Sequence, residues 1–229
     1  SIVNDLSPVK EREIHETVVK PFQDDILRHL RGLEERLAFN PVPVSQDDLY
    51  HWIEDRLTQE HSTKLGRMPV KLMETGWRHN PRPVVVDQGK TWEILLNLIR
   101  NSQTAIELRR IDLLRQPEEA RKTYSPLIEV SLENAPHAAC IRVRDTGGGL
   151  PPDQLANLFK RPVPSRKRAG KAFGQGTIFV KFFGESMGFT FEARKISLPG
   201  SPGLEVAIFI PFANPDLVRE FQGMDQEKV

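Results

Sequence analysis

"TWEILLNLIRNSQTAIE", residues 91–107, carries apolar residues at helical spacing and is interrupted by two asparagines. Ile94, Leu95, Leu98 and Ile99 fall on one side of a helix and predict a core-facing stripe. Asn97 and Asn101 lie four apart and share a neighbouring face. Asparagine is a mediocre helix former whose amide seeks partners. One reading is a pair of satisfied or solvent-facing amides, and the other is a pair aimed at a ligand. The rest of the chain separates them.

The chain has 229 residues, of which 38% are hydrophobic and 28% charged, the composition of an ordinary globular protein. Its 32 basic and 31 acidic side chains nearly cancel, so no global field points toward nucleic acid or anionic lipid, and any phosphate chemistry needs a local site. The single cysteine, Cys140, excludes an internal disulfide framework and a cysteine-rich zinc site, as expected of a reducing compartment. No apolar run is long enough to span a bilayer, so the expectation is a soluble, cytoplasmic chain whose membrane attachment, if any, lies in parts outside it.

Residues 9–39 place Ile14, Val18, Phe22, Ile26, Leu30, Leu33 and Leu37 at spacings of three and four, a seam suited to a partner helix, with Pro21 as a kink. "NPVPVS" (40–45) breaks the chain, and Ser45 with Asp48 predicts the cap of a helix over 46–62. The expected organisation is a helical segment 1–42, a domain 43–213 and a polar tail 214–229. "PVKLMET" and "RPVVVD" read as short strands flanking a turn. "LIEVSLE" and "ACIRVRD" alternate with period two around "NAPHA", an antiparallel hairpin. Helices over 152–159 and 177–186 and the strands "FTFEARKI" and "LEVAIFIP" follow. The predicted fold is an α+β sandwich in which one mixed sheet is covered by helices on one face.

Two glycine clusters carry the chemistry. "VRDTGGGL" (143–150) ends a strand with a carboxylate followed by glycines; the carboxylate can accept from an exocyclic amine, and glycine permits close backbone approach. Adenine offers that amine, whereas guanine presents a carbonyl there. A plain tight turn is the alternative. "GKAFGQGT" (170–177) stands before a helix, where backbone amides and the positive helix end make an anion site.

Their order, N-x-x-x-N on a helix, D-x-G-x-G after a strand, Phe159 before a basic loop, and G-x-G at a helix start, resembles the catalytic ATP-binding domain of sensor histidine kinases. The superfamily, termed GHKL, also holds gyrase, Hsp90 and the MutL-type ATPases. The resemblance covers roughly residues 43–212 and implies a Bergerat-type ATP-binding sandwich. It implies ATP and Mg2+ as cofactors, with Asn101 on the magnesium and Asn97 positioning phosphates or a water. It makes Asp145 the adenine reader, Gly147 and Gly149 close-approach positions, and Gly174 and Gly176 the shapers of the phosphate end. Phe159 would pack under a lid. In the basic run "RPVPSRKR", Lys167 or a neighbouring arginine would meet the terminal phosphates, unless the run is a solvated loop. The chain departs from the family pattern at Ala172, where a glycine is usual, and at Thr177, where a leucine is usual; Thr177 is a helix cap or a phosphate donor. The stretch 108–124 also lengthens the link from the asparagine helix to the hairpin.

The implied activity is ATP-dependent protein-histidine kinase, feeding the receiver domain of a response regulator from a homodimer held by the N-terminal helix, with no nucleic-acid partner. "EIHETVVKPFQDDI" (13–26) resembles one subfamily's acceptor segment, which makes His15 the nucleophile and Glu16 the acceptor of its other ring proton. The competing arrangement puts the acceptor histidine upstream, with 9–39 as the second helix of a hairpin. His29, His51, His61, His79 and His137 lack an acid-flanked context and metal-ligand spacing. A degenerate, partner-binding version of the domain is the alternative function. A superfamily serine kinase or ATPase ranks third, because gyrase-like members carry a water-activating glutamate where Asn97 stands, and an amide cannot serve as that base.

Overall fold

Alternating apolar residues in two neighbouring segments form the middle of a sheet, and everything that positions the site is built on it. The computed structural model describes Lys20 and residues 40–61, 68, 70–77, 82–160, 175–198, 201–216, 218 and 219. His15, Glu16, Lys167, Gly174 and most of the 9–39 seam lie outside the described residues. The chain divides into two compact units, Ser1–Asn40 and Pro41–Val229.

In the second unit the strands are β1 (Val42–Val44), β2 (Val70–Thr75), β3 (Val84–Val86), β4 (Ile128–Asn134), β5 (Ala138–Asp145), β6 (Thr190–Leu198) and β7 (Ser201–Pro211). The helices are α1 (Gln46–His61), α2 (Gln88–Leu113), α3 (Glu118–Lys122), α4 (Pro152–Asn157) and α5 (Gln175–Ser186). Five strands form a mixed sheet in the order β2-β4-β5-β7-β6, and β1 and β3 form a separate pair. The fold is the expected mixed sandwich.

The β4–β5 hairpin brings Val130 opposite Val143 and Leu132 opposite Ile141, and Ile208 of β7 stands beside Ile141. All of these are buried, together with Ile94, Leu95, Leu98 and Ile99 of α2. Each such side chain taken from water stabilises by about 1.5–3 kcal/mol. Helix α2 packs on β4, β5 and α5. It starts cleanly because Asp87 caps it, accepting from Lys90 N at 3.0 Å. Helix α1 is capped as expected, with Asp48 N donating to Ser45 Oγ at 3.0 Å.

The opposite face of the sheet is closed by charge. Glu205 is buried and accepts from Arg142 at 3.0 Å, Arg144 at 2.7 Å and Arg194 at 2.7 Å. Arg142 in turn reaches Glu133, and Arg144 reaches Glu129 and Glu133, which links the charges of β4, β5, β6 and β7 through Glu205. The three guanidinium groups hold Glu205 below the usual carboxylate range despite its burial. Burial pushes the Cys140 thiol beside them up to about 11, which leaves it an inert packing group.

One expectation is corrected. The break "NPVPVS" contains β1, which pairs antiparallel with β3 across Pro43 and Val85. Proline, lacking an N–H, is tolerated in so short an edge strand. The segments "PVKLMET" and "RPVVVD" form short strands as expected, and their partners lie elsewhere: β2 runs parallel to β4, with Leu72 beside Val130.

Candidate active site

Helix α2 presents two stripes toward the glycine-bearing segments. Asn97 and Asn101 face the start of α5, and Ser102, Ala105 and Arg109, at spacings of three and four, face the loop after β5. One rigid element therefore touches both glycine clusters.

At the β5 end, Asp145 is only 3% exposed. Its Oδ2 accepts from Ser102 Oγ at 2.9 Å and its Oδ1 from Gly147 N at 2.8 Å. Burial raises its pKa, and the bonds from the Gly147 N–H, the Ser102 hydroxyl and the Leu204 N–H oppose that rise. A carboxylate has about four lone-pair sites, so two oxygens held in this way can still accept from a ligand. Thr146 anchors the loop from behind, its Oγ1 accepting from Leu127 N at 2.9 Å and its carbonyl from the Tyr124 hydroxyl at 3.1 Å.

The glycines expected to admit a ligand are crowded by protein. A Cβ at Gly147 would collide with Ala105, and one at Gly149, where φ is +72°, would stand 2.8 Å from the Gly203 carbonyl. Gly203 in turn lies against the Asp145 carbonyl, where no side chain fits. These residues therefore let β7, α2 and the loop close around Asp145, and Gly148 N completes the closure by donating to Pro202 O at 3.0 Å.

At the other end, the start of α5 meets the asparagine stripe. A Cβ on Gly176 would lie 3.0 Å from Asn97 Oδ1 and 4.0 Å from Asn101 Nδ2. Further along, the Lys90 ammonium sits 5.1 Å from the Phe183 ring centroid, so α5 runs antiparallel to α2 and directs its positive N-terminal end at the asparagines. Asn97 Nδ2 donates to Glu93 O at 3.2 Å, leaving its oxygen toward Gly176, and Asn101 is exposed. Thr177 lies in the first turn of α5, half-buried. Phe159, shortly before the basic run 161–168, has φ of 66°, and its ring centroid lies 5.3 Å from that of Phe191 on β6.

The residues present fit a magnesium ion. Among the described residues no cluster of His, Cys, Asp and Glu forms a metal site, and what stands here is the Asn97 amide oxygen and the Asn101 amide, whose oxygen can serve as a hard ligand, beside a helix N-terminus that favours phosphate. Such a set leaves the remaining coordination to water and phosphate oxygens, as magnesium prefers.

The asparagines and Gly176 are thus brought together, as are Asp145, Gly147 and Gly149, and α2 joins the two groups. The sequence reading missed Ser102, Tyr124, Arg109 and Gly203. Ser102 had a signal, standing next to Asn101 and one position off its stripe. Gly203 had a weaker one in the glycine opening the last strand.

The family model described as "Histidine kinase-, DNA gyrase B-, and HSP90-like ATPase" matches residues 86–214. Among solved structures, full-length ShkA in complex with AMPPNP is similar with a TM-score of 0.52 and 19% identity, over 78% of this chain and 32% of ShkA. The catalytic domain of the histidine kinase ThkA is similar with a TM-score of 0.50 and 15% identity, over 76% of this chain and 96% of that domain. The chain therefore spans about a third of the length of ShkA. No curated relative matches it. Among the described residues no helix is long and apolar enough to cross a membrane. With the matched segment holding both ends of the site, the chain belongs to the family of histidine kinase-, DNA gyrase B- and HSP90-like ATPases.

Proposed function

We propose that this chain binds Mg-ATP between the β5 loop and the α5 start and serves as the catalytic part of a protein-histidine kinase in a two-component system. The observation that carries the reading is the geometry of α2, one helix placing a buried carboxylate partner at one end and paired amides at the other. The likeness in fold to the ThkA catalytic domain supports it.

In this reading the Asp145 carboxylate accepts from the 6-amino group of adenine. The α5 N-terminus, Gly176 and Asn97 orient the phosphates, Thr177 donates to one of them, and Asn101 holds the magnesium. The undescribed Gly174 and Lys167 would complete the phosphate end. The bound ion supplies charge neutralisation on the phosphate oxygens. An imidazole nitrogen of the acceptor histidine attacks the γ-phosphorus as the bond to the bridging oxygen breaks, ADP leaves, and the other ring proton rests on a carboxylate. His15 with Glu16 is one candidate for that pair, and a histidine upstream is the other. The phosphoryl group then passes to an aspartate of a response regulator receiver domain. The N-terminal helical segment serves the dimer, in the cytoplasm.

Incubation with γ-labelled ATP and magnesium tests the reading: an acid-labile, base-stable phosphoryl group is expected on the protein carrying the acceptor. Label stable to acid on serine overturns it, and mass spectrometry of the labelled peptide decides between His15 and an upstream site.

A further inference from the structure

Ser102 has no place in the roles above, yet it makes the only side-chain hydrogen bond to Asp145 among the described residues, at 2.9 Å, in a spot where both residues are buried. A helical serine commonly returns its hydroxyl to the carbonyl four residues back, as Thr104 does to Arg100. Ser102 instead reaches across to β5. A buried carboxylate without donors turns freely about its last torsion and is costly to keep charged. With Ser102 on Oδ2 and the Gly147 N–H on Oδ1, both the plane and the charge of this one are set.

We propose that Ser102 is a positioning residue for base selection: by donating to Oδ2 it fixes the Asp145 plane so that a remaining lone pair points at the 6-amino group of adenine. This rests on the reading of Asp145 as the base contact. Because the hydroxyl proton is committed to Asp145, the serine oxygen has only lone pairs left to offer. That suits it to a water or an amine and sets it against a carbonyl, so the pair rejects guanine twice. The other groups around the carboxylate are the Leu204 N–H on β7 and Tyr124, whose hydroxyl is turned to Thr146 O; Arg109 of α2 lies beside Gly148, Arg109 and Arg110 both act on Tyr124, and Lys195 of β6 lies beside Gly149. No side chain among them donates to Asp145.

Affinities of the full chain for Mg-ATP and Mg-GTP, measured by calorimetry, test this. Ser102→Ala is expected to weaken ATP roughly 10-fold and leave GTP unchanged, because a hydrogen bond to a charged group is lost only from the adenine-reading arrangement. Ser102→Thr, which keeps the hydroxyl, is expected to restore most of the preference. The pH below which ATP affinity falls is expected to rise in Ser102→Ala, since a donor to the carboxylate has gone. Equal weakening of both nucleotides, an unchanged ATP affinity or no rescue by threonine overturns the proposal and leaves Ser102 a packing residue. Asp145→Ala separates the two levels: if it removes the ATP preference while Ser102→Ala does not, only the role of Ser102 falls. If Asp145→Ala leaves the preference intact, the base contact itself is wrong. Should Ser102→Ala not fold, Ser102→Cys carries the test, a thiol of similar size and weaker donation that must lower the ATP to GTP ratio.

Discussion

At the base end of the site Asp145 is 3% exposed with both oxygens hydrogen-bonded, whereas at the phosphate end Asn101 is exposed and Asn97 is tied only to the backbone of its own helix. The first arrangement is complete before a nucleotide arrives; the second offers amides and a helix terminus that a ligand must complete. In the proposed reading, base selection would thus rest on the packed core, where a change disturbs folding, while the groups assigned to phosphate and metal sit where they can be altered at little cost in stability.

Asn101→Ala is the sharpest way to probe that division. Magnesium-dependent phosphoryl transfer is expected to fall roughly 100-fold or more, while the Tm of the nucleotide-free protein shifts by no more than about 2 °C. A large fall in Tm would mean that the phosphate end is as structural as the base end. Gly147→Val addresses the other side: its side chain meets Ala105, and overpacking costs about 1–3 kcal/mol. Thermal unfolding of that variant should drop by about 2–4 °C per kcal/mol, and an unchanged Tm would show a looser contact.

Acid separates the two again. The raised pKa of Asp145 means that the ionised form costs folding energy, so protonation as pH falls relieves the core while removing the acceptor that the proposed reading assigns to adenine. ATP affinity should therefore decline at pH values above 3.8, the ordinary position of the carboxyl. Glu205 has the opposite sign: its contribution is present above its ordinary 4.5 and is lost only as pH falls through its lowered folded value. Titrating affinity and Tm in parallel should show affinity failing first, and simultaneous loss would contradict the assignment. The smallest effect belongs to Arg194→Ala. That side chain is 66% exposed and Glu205 keeps Arg142 and Arg144, so chemical denaturation should register less than about 1 kcal/mol.

Local patterns were legible in the sequence wherever neighbouring residues decided them. The β4–β5 hairpin follows from strict alternation, the start of α1 from Ser45 and Asp48, and the core stripe of α2 from its apolar spacing. Pairing between distant segments was not legible, because β2 and β3 are adjacent in sequence yet find β4 and β1, and nothing in "PVKLMET" encodes which neighbour buries it. In the site, Asn97, Asn101 and Asp145 stood out through motif order. Ser102 did not, although it stands next to Asn101, since the partner that gives it meaning lies 43 residues away. The glycines stood out as close-approach positions, and the structure adds a second reason for them: a side chain there would meet Ala105 or the Gly203 carbonyl.

Helix α2, 26 residues without a break, fixes the interval between the two ends of the site. Exchanges of one side chain for another along it alter strength or preference. Adding or deleting a single residue between Asn101 and Ser102 would instead swing one half about 100° away from its counterpart on the sheet. The number of residues along α2 is therefore as strict a requirement for bringing the two groups together as the identity of the side chains themselves.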